Sequence, residues 1–384
     1  MTVTQIATLL NIVYQEVTGE TENIVNEGLT NVVDLGTTVF SSSWKDKYVK
    51  GLIDQIGKMI FVDRPYQGFA PSIIRSDWEY GSILAKIRAK DFEAKENPSW
   101  KLTAGQTVDQ FEYNPPEVKQ TFWNQRESWQ IDCSFAEIQV KSAFKSAEQM
   151  NAFFSMIEST IDSSRNLYMD ALAMRTINNF ILSKIASNNG YINVLSAYNT
   201  AYNQTLTPQN AQYDPQFLRF LAFLILDLKD QLKIKNSLYN LGGSGYTRHT
   251  PEQDLHIVLH SIYARATEIM MQADTYHDNL TKIGMYETVP FWQNLSSKPW
   301  GNDQIEQRTS ILATVSLADE VEAPYIVGVL FDRDAIAMNN TNIRVTSAYN
   351  ANGEYYNNFY KVDTNCINDL SENGVVLALT DIPT

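Results

Sequence analysis

Cysteine is scarce in this sequence, which contains only Cys133 and Cys366 among its 384 residues. Two thiols cannot build a disulfide framework or a four-cysteine zinc site, so we interpret both as small buried side chains. Histidine is also scarce, with four residues, and no G-x-S-x-G turn presents a nucleophilic serine. The sequence therefore offers few of the cysteine and histidine side chains from which metal and nucleophile sites are often built.

Basic residues and long apolar runs are also in short supply. The chain has 30 basic against 44 acidic residues, a net charge of −14, and no run of four Lys or Arg. A surface of this sign repels phosphates, so it argues against nucleic-acid binding and suits a container for DNA or a metabolic enzyme. The apolar run at 220–228 is too short to span a bilayer, and residues 1–20 lack a signal-peptide pattern. We expect a soluble, non-exported protein without a membrane partner.

Residues 1–60 are predicted to form an extended arm with short helices. Apolar residues recur at helical spacing up to Val17, and a second amphipathic stretch begins at Lys45. Neither stretch could bury its apolar face alone, so the arm is expected to need another surface.

A long hairpin is predicted to follow the arm. Residues 81–92 and 117–135 have the composition of two long strands, and residues 96–116 between them are polar and interrupted by proline and glycine. The second strand ends in a strict alternation with polar residues at Trp129, Ile131, Cys133 and Phe135. Two long strands joined by a polar tip predict a hairpin that projects from the body and lies on another surface.

One very long helix is predicted over residues 146–187. Ser146 and Gln149 form a capping box, and apolar residues recur at helical spacing through the whole stretch. A helix of this length would extend about 60 Å, far beyond the usual length in globular domains.

The remaining sequence predicts an α/β unit and then a return to strands. Asp214 and Pro215 are typical of a helix start, and DLHIVLHS predicts a buried strand that leads directly into a helix. After residue 324 come a strand YIVGVLF, a hairpin turning near Asn352-Gly353, and a last strand GVVLAL.

Two motifs that resemble sites are assigned structural roles. His256 and His260 are four residues apart, but the intervening Ile-Val-Leu favours a strand, in which the residues lie about 13 Å apart. The glycines of LGGSG lack the Lys-Ser/Thr of a phosphate-binding loop and are interpreted as a loop tip. Acidic residues are plentiful and the chain has 7 Trp and 20 Tyr, so a glycosidase-like carboxylate pair stays open.

The cluster Asp332, Arg333, Asp334 follows the YIVGVLF strand. Asp334 stands where a helix N-cap belongs, before Ala-Ile-Ala-Met, and Arg333 lies between two carboxylates. A cap with a local ion pair accounts for all three residues, so we predict a structural role for them and no catalytic one.

The order of these parts resembles the major capsid protein of tailed bacteriophages, with the Hong Kong 97-type (HK97-like) fold. The segment VGVLFDRDAIAM is also similar to the run at which such proteins re-enter their P-domain. The resemblance implies an α+β chain with an N-terminal arm, an E-loop hairpin, a P-domain with a long spine helix, and an A-domain. The implied bounds are 1–60 for the arm, 61–145 for the start of the P-domain with the E-loop at about 76–135, 146–187 for the spine helix, 188–324 for the A-domain, and 325–384 for the returning P-domain strands.

The same resemblance implies a structural, non-enzymatic virion subunit without a cofactor or metal. Its copies would assemble in the host cytoplasm, as hexamers and pentamers, into an icosahedral shell around double-stranded DNA that they do not bind specifically. A separate scaffolding protein and a portal would be its partners. The E-loop residues expected to contact a neighbouring subunit are Phe92, Trp100, Phe111 and Tyr113.

Two other functions are compatible with the sequence. A cellular nanocompartment shell of the same fold would form smaller closed particles around an enzyme cargo. A carbohydrate-active enzyme would be a monomer or small oligomer with a clustered carboxylate pair.

Overall fold

The computed structural model describes residues 71–75, 84–109, 111–123, 126–136, 147–243, 245–274, 285–293, 302–316 and 319–381, together with residues 7, 8, 10–12 and 15. Most of the arm predicted for 1–60 lies outside the described residues. The few that are described there are helical, with Ala7 and Leu10 buried.

Helices and strands alternate irregularly along the described part of the chain. The helices are α1 (Ala147–Ala186), α2 (Val194–Tyr202), α3 (Pro215–Lys233), α4 (Ser261–Asp274) and α5 (Asn302–Thr309). The strands are β1 (Leu84–Ala89), β2 (Val118–Trp123), β3 (Arg126–Ala136), β4 (Tyr191–Asn193), β5 (Leu255–His260), β6 (Glu287–Val289), β7 (Ile311–Ser316), β8 (Asp319–Ala323), β9 (Ile326–Asp332), β10 (Ile336–Asn350), β11 (Tyr355–Asn368) and β12 (Gly374–Ala378). None of the helices in the described ranges has the length and apolar content that crossing a membrane requires.

A five-stranded mixed sheet forms the centre of the molecule, in the order β4-β12-β9-β5-β6. Strand β9 is antiparallel to both β12 and β5, while β4 and β6 are parallel to their neighbours. Gly328 of β9 allows a close approach, since a Cβ there would lie 2.5 Å from Leu259 Cδ2 and 2.8 Å from the Val258 carbonyl oxygen. The sheet takes strands from both sides of residue 324, so the stretches 188–324 and 325–384 share one sheet.

A three-stranded antiparallel sheet has the order β10-β11-β3. Strands β10 and β11 form the predicted hairpin, with its turn at residues 351–354 around Asn352-Gly353. The alternation predicted in β3 is confirmed over 129–134, since Trp129 is buried while Gln130, Asp132 and Ser134 are exposed. One face of this sheet is therefore turned toward the core.

The single long strand predicted for 117–135 is wrong. It is two strands, because β2 pairs with β1 in a separate two-stranded ladder while β3 pairs with β11. The side chains of β2 are exposed or half-buried, whereas β3 buries Trp129 against the body. The partner strand therefore differs between Trp123 and Arg126, and this separates the hairpin of β1 and β2 from the three-stranded sheet.

The long helix is confirmed as the 40-residue α1. At 1.5 Å per residue it extends about 60 Å. Among the residues of α1 whose side chains are described, buried ones recur from Ile161 to Ile185, and the helix contacts strands of both sheets. The start of α3 is also confirmed, since Asp214 Oδ1 accepts hydrogen bonds from the amides of Gln216 and Phe217 at 2.8 and 2.9 Å, with Pro215 in the first turn.

Candidate functional site

The hairpin formed by β1 and β2 carries an almost wholly exposed tip. The two strands pair from Leu84 opposite Trp123 to Ala89 opposite Val118, and we call residues 93–116 the hairpin tip. Every described residue of the hairpin tip is exposed. The exposed fractions of the four predicted contact residues are 76% for Phe92 at its edge, 88% for Trp100, 83% for Phe111 and 82% for Tyr113.

Local turns hold the described part of the hairpin tip. A short 3-10 helix spans Pro98–Lys101. Asn97 caps it, because its Oδ1 accepts the Ser99 amide at 3.0 Å. Farther along, Asp109 Oδ1 accepts the Phe111 amide at 2.8 Å. These bonds shape the backbone without covering the aromatic rings. Burying one such ring contributes about 1.5–3 kcal/mol, so the tip presents a large unused apolar surface.

The hairpin is strongly acidic around these rings. Residues 91–117 contain six acidic and two basic side chains, a net charge of 2 − 6 = −4: Asp91, Glu93, Glu96, Asp109, Glu112 and Glu117 against Lys95 and Lys101. The ion pair between Lys101 and Glu96 is exposed by 70% and 67%, so water screens it and it adds little stability. Aromatic rings set among carboxylates suit a contact surface that is partly polar.

The predicted N-cap at Asp334 is wrong, because strand β10 begins at Ile336 and no helix follows. Residues 335–338 are all buried, and an apolar run of this kind fits a strand as well as a helix. The carboxylate that caps the turn is Asp332, whose Oδ1 accepts the Asp334 amide at 2.8 Å. Its Oδ2 accepts the Thr250 hydroxyl at 2.7 Å. Burial raises the pKa of Asp332, and these hydrogen bonds offset the rise only in part.

The ion pair of Asp334 is with Arg75, at 2.5 Å, and Arg333 makes none with either neighbouring carboxylate in the described part of the chain. The backbone amide of Arg333 instead donates to the Asp254 carbonyl at 2.8 Å. The three residues therefore join β9 to segments far away in the sequence, which is a structural arrangement.

Replacement of Asp332 should cost more than replacement of Asp334. The change Asp332→Ala removes a turn cap and leaves the Thr250 hydroxyl without its acceptor, a loss of about 2 kcal/mol in the free energy of unfolding. The change Asp334→Ala removes an ion pair whose carboxylate is 51% exposed, and should cost less than about 1 kcal/mol. Urea denaturation of both variants measures the difference, and the opposite order would contradict this assignment.

His256 and His260 both lie on strand β5, as predicted. The ring of His256 stacks on Phe331 with centroids 5.5 Å apart, and the fully buried His260 accepts the Ile262 amide at its Nδ1. Burial lowers the pKa of both side chains, to about 3 for His260. Among the described residues, no group of three or more His, Cys, Asp or Glu side chains is placed to hold a metal ion. The two histidines serve packing.

A buried charge centre on the three-stranded sheet was missed at the level of sequence. Asp363 of β11 is fully buried, and its carboxylate accepts hydrogen bonds from Arg344 at 2.5 Å, from Arg126 and from Ser128. Burial alone would raise the pKa of Asp363, but these hydrogen bonds outweigh it and hold the pKa well below the usual range. The residues come from three paired strands, so only the register of the sheet could have revealed the cluster.

Comparisons with known proteins place this fold and this chain. The model of the Phi29-like phage major capsid protein family matches residues 10–378. The capsid structure of Staphylococcus phage Andhra is similar with a TM-score of 0.55 at 9% identity, covering 83% of this chain and 86% of that one. A chain in the structure of the head fiber and inner core protein gp22 of bacteriophage P68 has a TM-score of 0.53 at 10% identity, covering 83% and 87%. A search of curated protein sequences finds no match.

Proposed function

The chain belongs to the Phi29-like phage major capsid protein family, and we propose that its subunits contact one another in the shell through the hairpin tip. It is a major capsid protein of a tailed phage, a structural virion protein whose copies form an icosahedral shell. Membership over residues 10–378 confirms the resemblance noted in the sequence and sets aside the nanocompartment shell and the carbohydrate-active enzyme.

The exposure of the aromatic rings carries the proposal for the hairpin tip. Trp100, Phe111 and Tyr113 are more than 80% exposed on a segment whose described residues are all exposed. A monomer gains nothing from apolar rings left in water, whereas a neighbouring subunit that covers them gains their transfer free energy. Aromatic side chains are enriched among the residues that contribute most of the binding energy at contacts between proteins.

The parts of the chain map onto the capsid fold as follows. We assign residues 1–60 to the N-terminal arm, 76–135 to the E-loop and 146–187 to the spine helix of the P-domain. The A-domain of 188–324 shares its sheet with β9 and β12, so its core also contains strands from the returning segment 325–384. The helix α1 contacts β12, so the shared sheet also connects the proposed A-domain to α1.

The partners follow from the role of a shell subunit. We infer hexamers and pentamers of this chain, a separate scaffolding protein and a portal. The net charge of −14 supports a shell that encloses double-stranded DNA without binding it specifically, because like charge repels the phosphates.

Hydrogen exchange measured on free subunits and on assembled shells tests the proposed contact. The amides of 93–116 should exchange rapidly in the free subunit, because the hairpin tip has no core of its own, and should become protected in the shell. The buried strand β9 should be protected equally in both states and serves as the internal control. Equal protection of 93–116 in both states would show a segment ordered within its own subunit and would overturn the proposed contact.

A further inference from the structure

A cluster of buried charges joins the base of the hairpin to the body of its own subunit. Lys86 and Arg88 are two residues apart on β1, so both side chains lie on the same face of the strand. They face Asp369 and Glu372 in the turn between β11 and β12. Only 4–18% of these four side chains is exposed.

The contacts within the cluster are direct. Lys86 Nζ lies 3.1 Å from Asp369 Oδ2 and 3.6 Å from Glu372 Oε1. The Arg88 guanidinium lies 2.6 Å from Asp369 Oδ2 and also donates to Glu372 and to the Ser371 hydroxyl. Each carboxylate is therefore shared by both cations of β1.

The turn that bears the carboxylates is itself fixed. Asp369 Oδ1 accepts the Ser371 amide at 3.0 Å and the Ser371 hydroxyl at 2.6 Å. Arg248 Nε lies 3.4 Å from Glu372 Oε2, close enough for an ion pair although not in hydrogen-bond geometry. Both carboxylates thus also have partners on the body, outside the hairpin.

Apolar packing contributes little to this joint. On the two strands of the hairpin, Ile87 is 66%, Val118 57% and Phe122 61% exposed. Among the described residues of these strands, Trp123 is the one packed against a buried apolar cluster, that of Ala337 and Ile367. The direction of the hairpin therefore depends on polar contacts.

A second set of polar contacts continues outward along the hairpin. Asp91 pairs with Lys235 and accepts the hydroxyl of Thr247, while its amide donates to the Gly245 carbonyl at 3.0 Å. Hydrogen bonds from Lys235 and Thr247 hold the pKa of Asp91 at about 2. The loop at 245–247 thus supports the hairpin just before its exposed tip begins.

We propose that Lys86, Arg88, Asp369 and Glu372 form an ionic latch that fixes the direction in which the hairpin leaves its own subunit. Buried ion pairs add little net stability, because desolvation offsets their attraction, but each partner accepts only a few geometries. The ionic latch therefore determines orientation more than folding. A hairpin held in one direction loses less conformational entropy when it meets a neighbour. That last consequence rests on the proposed function, whereas the orientation itself does not.

The two carboxylates of the ionic latch are not equivalent. Burial would raise the pKa of Asp369, but Lys86, Ser371 and Arg88 outweigh it, so the net shift is downward. Burial raises the pKa of Glu372, and Arg88 and Lys86 offset that rise only in part. The fold therefore favours the charged form of Asp369 more than that of Glu372. We expect Asp369→Asn to loosen the hairpin more than Glu372→Gln.

The direction of the hairpin can be measured as a distance between two spin labels on the full chain. Labels are placed on cysteines introduced at the exposed Gln120 of β2, in the paired part of the hairpin, and at the exposed Thr200 of α2, with Cys133→Ala and Cys366→Ala removing the native thiols. Pulsed electron paramagnetic resonance on unassembled subunits should give a narrow distribution of the distance between the two labels. The double variant Asp369→Asn with Glu372→Gln should lose the narrow peak and give a broad distribution.

Two further variants complete the test. Glu96→Gln removes an exposed ion pair from the same hairpin and should keep the narrow peak. The double variant Lys86→Met with Arg88→Met removes the cations from the hairpin side, so it decides the matter if the body-side variant does not fold. A narrow, unshifted peak in a folded latch variant from either side would overturn the proposal, whether or not shells form.

Discussion

Removal of residues 93–116, with a short Gly-Ser linker closing the hairpin, should give a folded subunit that forms no shells. The two cores of the body contain no described residue of this segment, so its loss should not lower the free energy of unfolding by more than about 0.5 kcal/mol. Shell formation should fail because the exposed rings of Trp100 and Phe111 can no longer contact a neighbour. Sedimentation and electron microscopy measure the two outcomes separately.

Two variants with four substitutions each separate the effect of the aromatic rings from the effect of the rest of the segment. Replacing the four aromatic contact residues by serine should abolish shells while the backbone of the tip keeps its length. Replacing Glu93, Glu96, Asp109 and Glu112 by their amides changes the same tip without touching the rings, and should leave shell formation largely intact. Normal shells from the deletion variant, or from the serine variant, would contradict the proposed contact.

Replacement of Asp363 by asparagine should be the most destabilising conservative change in the three-stranded sheet. It leaves the guanidinium groups of Arg344 and Arg126 facing one neutral amide in place of a shared carboxylate. Breaking a buried ion pair typically costs 3–5 kcal/mol. The side chains of Arg344 and Arg126 remain 38% and 42% exposed and can turn toward water. We therefore expect the free energy of unfolding to fall by about 2–3 kcal/mol.

The matched control for Asp363 is Asp132 on the neighbouring strand β3. Asp132 is exposed and lies opposite Phe359 in the same sheet. Its change to asparagine should alter the free energy of unfolding by less than about 0.5 kcal/mol. Urea denaturation of both variants gives the comparison, and equal effects would mean that the buried carboxylate contributes nothing special.

Acid should remove the contribution of Asp363 to the free energy of unfolding. Its folded pKa lies below that of the unfolded chain, so the unfolded chain takes up the proton first as the pH falls. The contribution of Asp363 is therefore complete above about pH 4 and is lost as the pH falls toward the folded pKa. The difference in unfolding free energy between the native chain and Asp363→Asn should shrink below pH 4. A difference that stays constant on acidification would contradict the ion-pair explanation.

Long periodic elements could be predicted from the sequence because their signals are local. The helix α1 has a repeating apolar stripe, and β3 has a strict alternation around Trp129. The exposed tip was likewise predictable from its proline, glycine and charged residues, which cannot form a core. In each case the residues that decide the structure are neighbours in the sequence.

Contacts between distant segments could not be predicted in the same way. Asp334 finds its partner Arg75 259 residues away, and the stretch after it looks equally suited to a helix and a buried strand. Nothing in the sequence of 117–135 shows that the partner strand differs between Trp123 and Arg126. Strand pairing across residue 324 is hidden for the same reason, since β9 and β12 join a sheet built from earlier strands. The ionic latch also depends on a turn 281–284 residues beyond Arg88.

Electron microscopy of the purified protein, alone and together with the proposed scaffolding protein, tests the central claim most directly. A phage major capsid protein should form closed icosahedral particles of uniform size, with hexamers and pentamers resolved on their surface. A stable monomer in sedimentation, without particles at any salt concentration or crowding and with the scaffold supplied, would contradict the account.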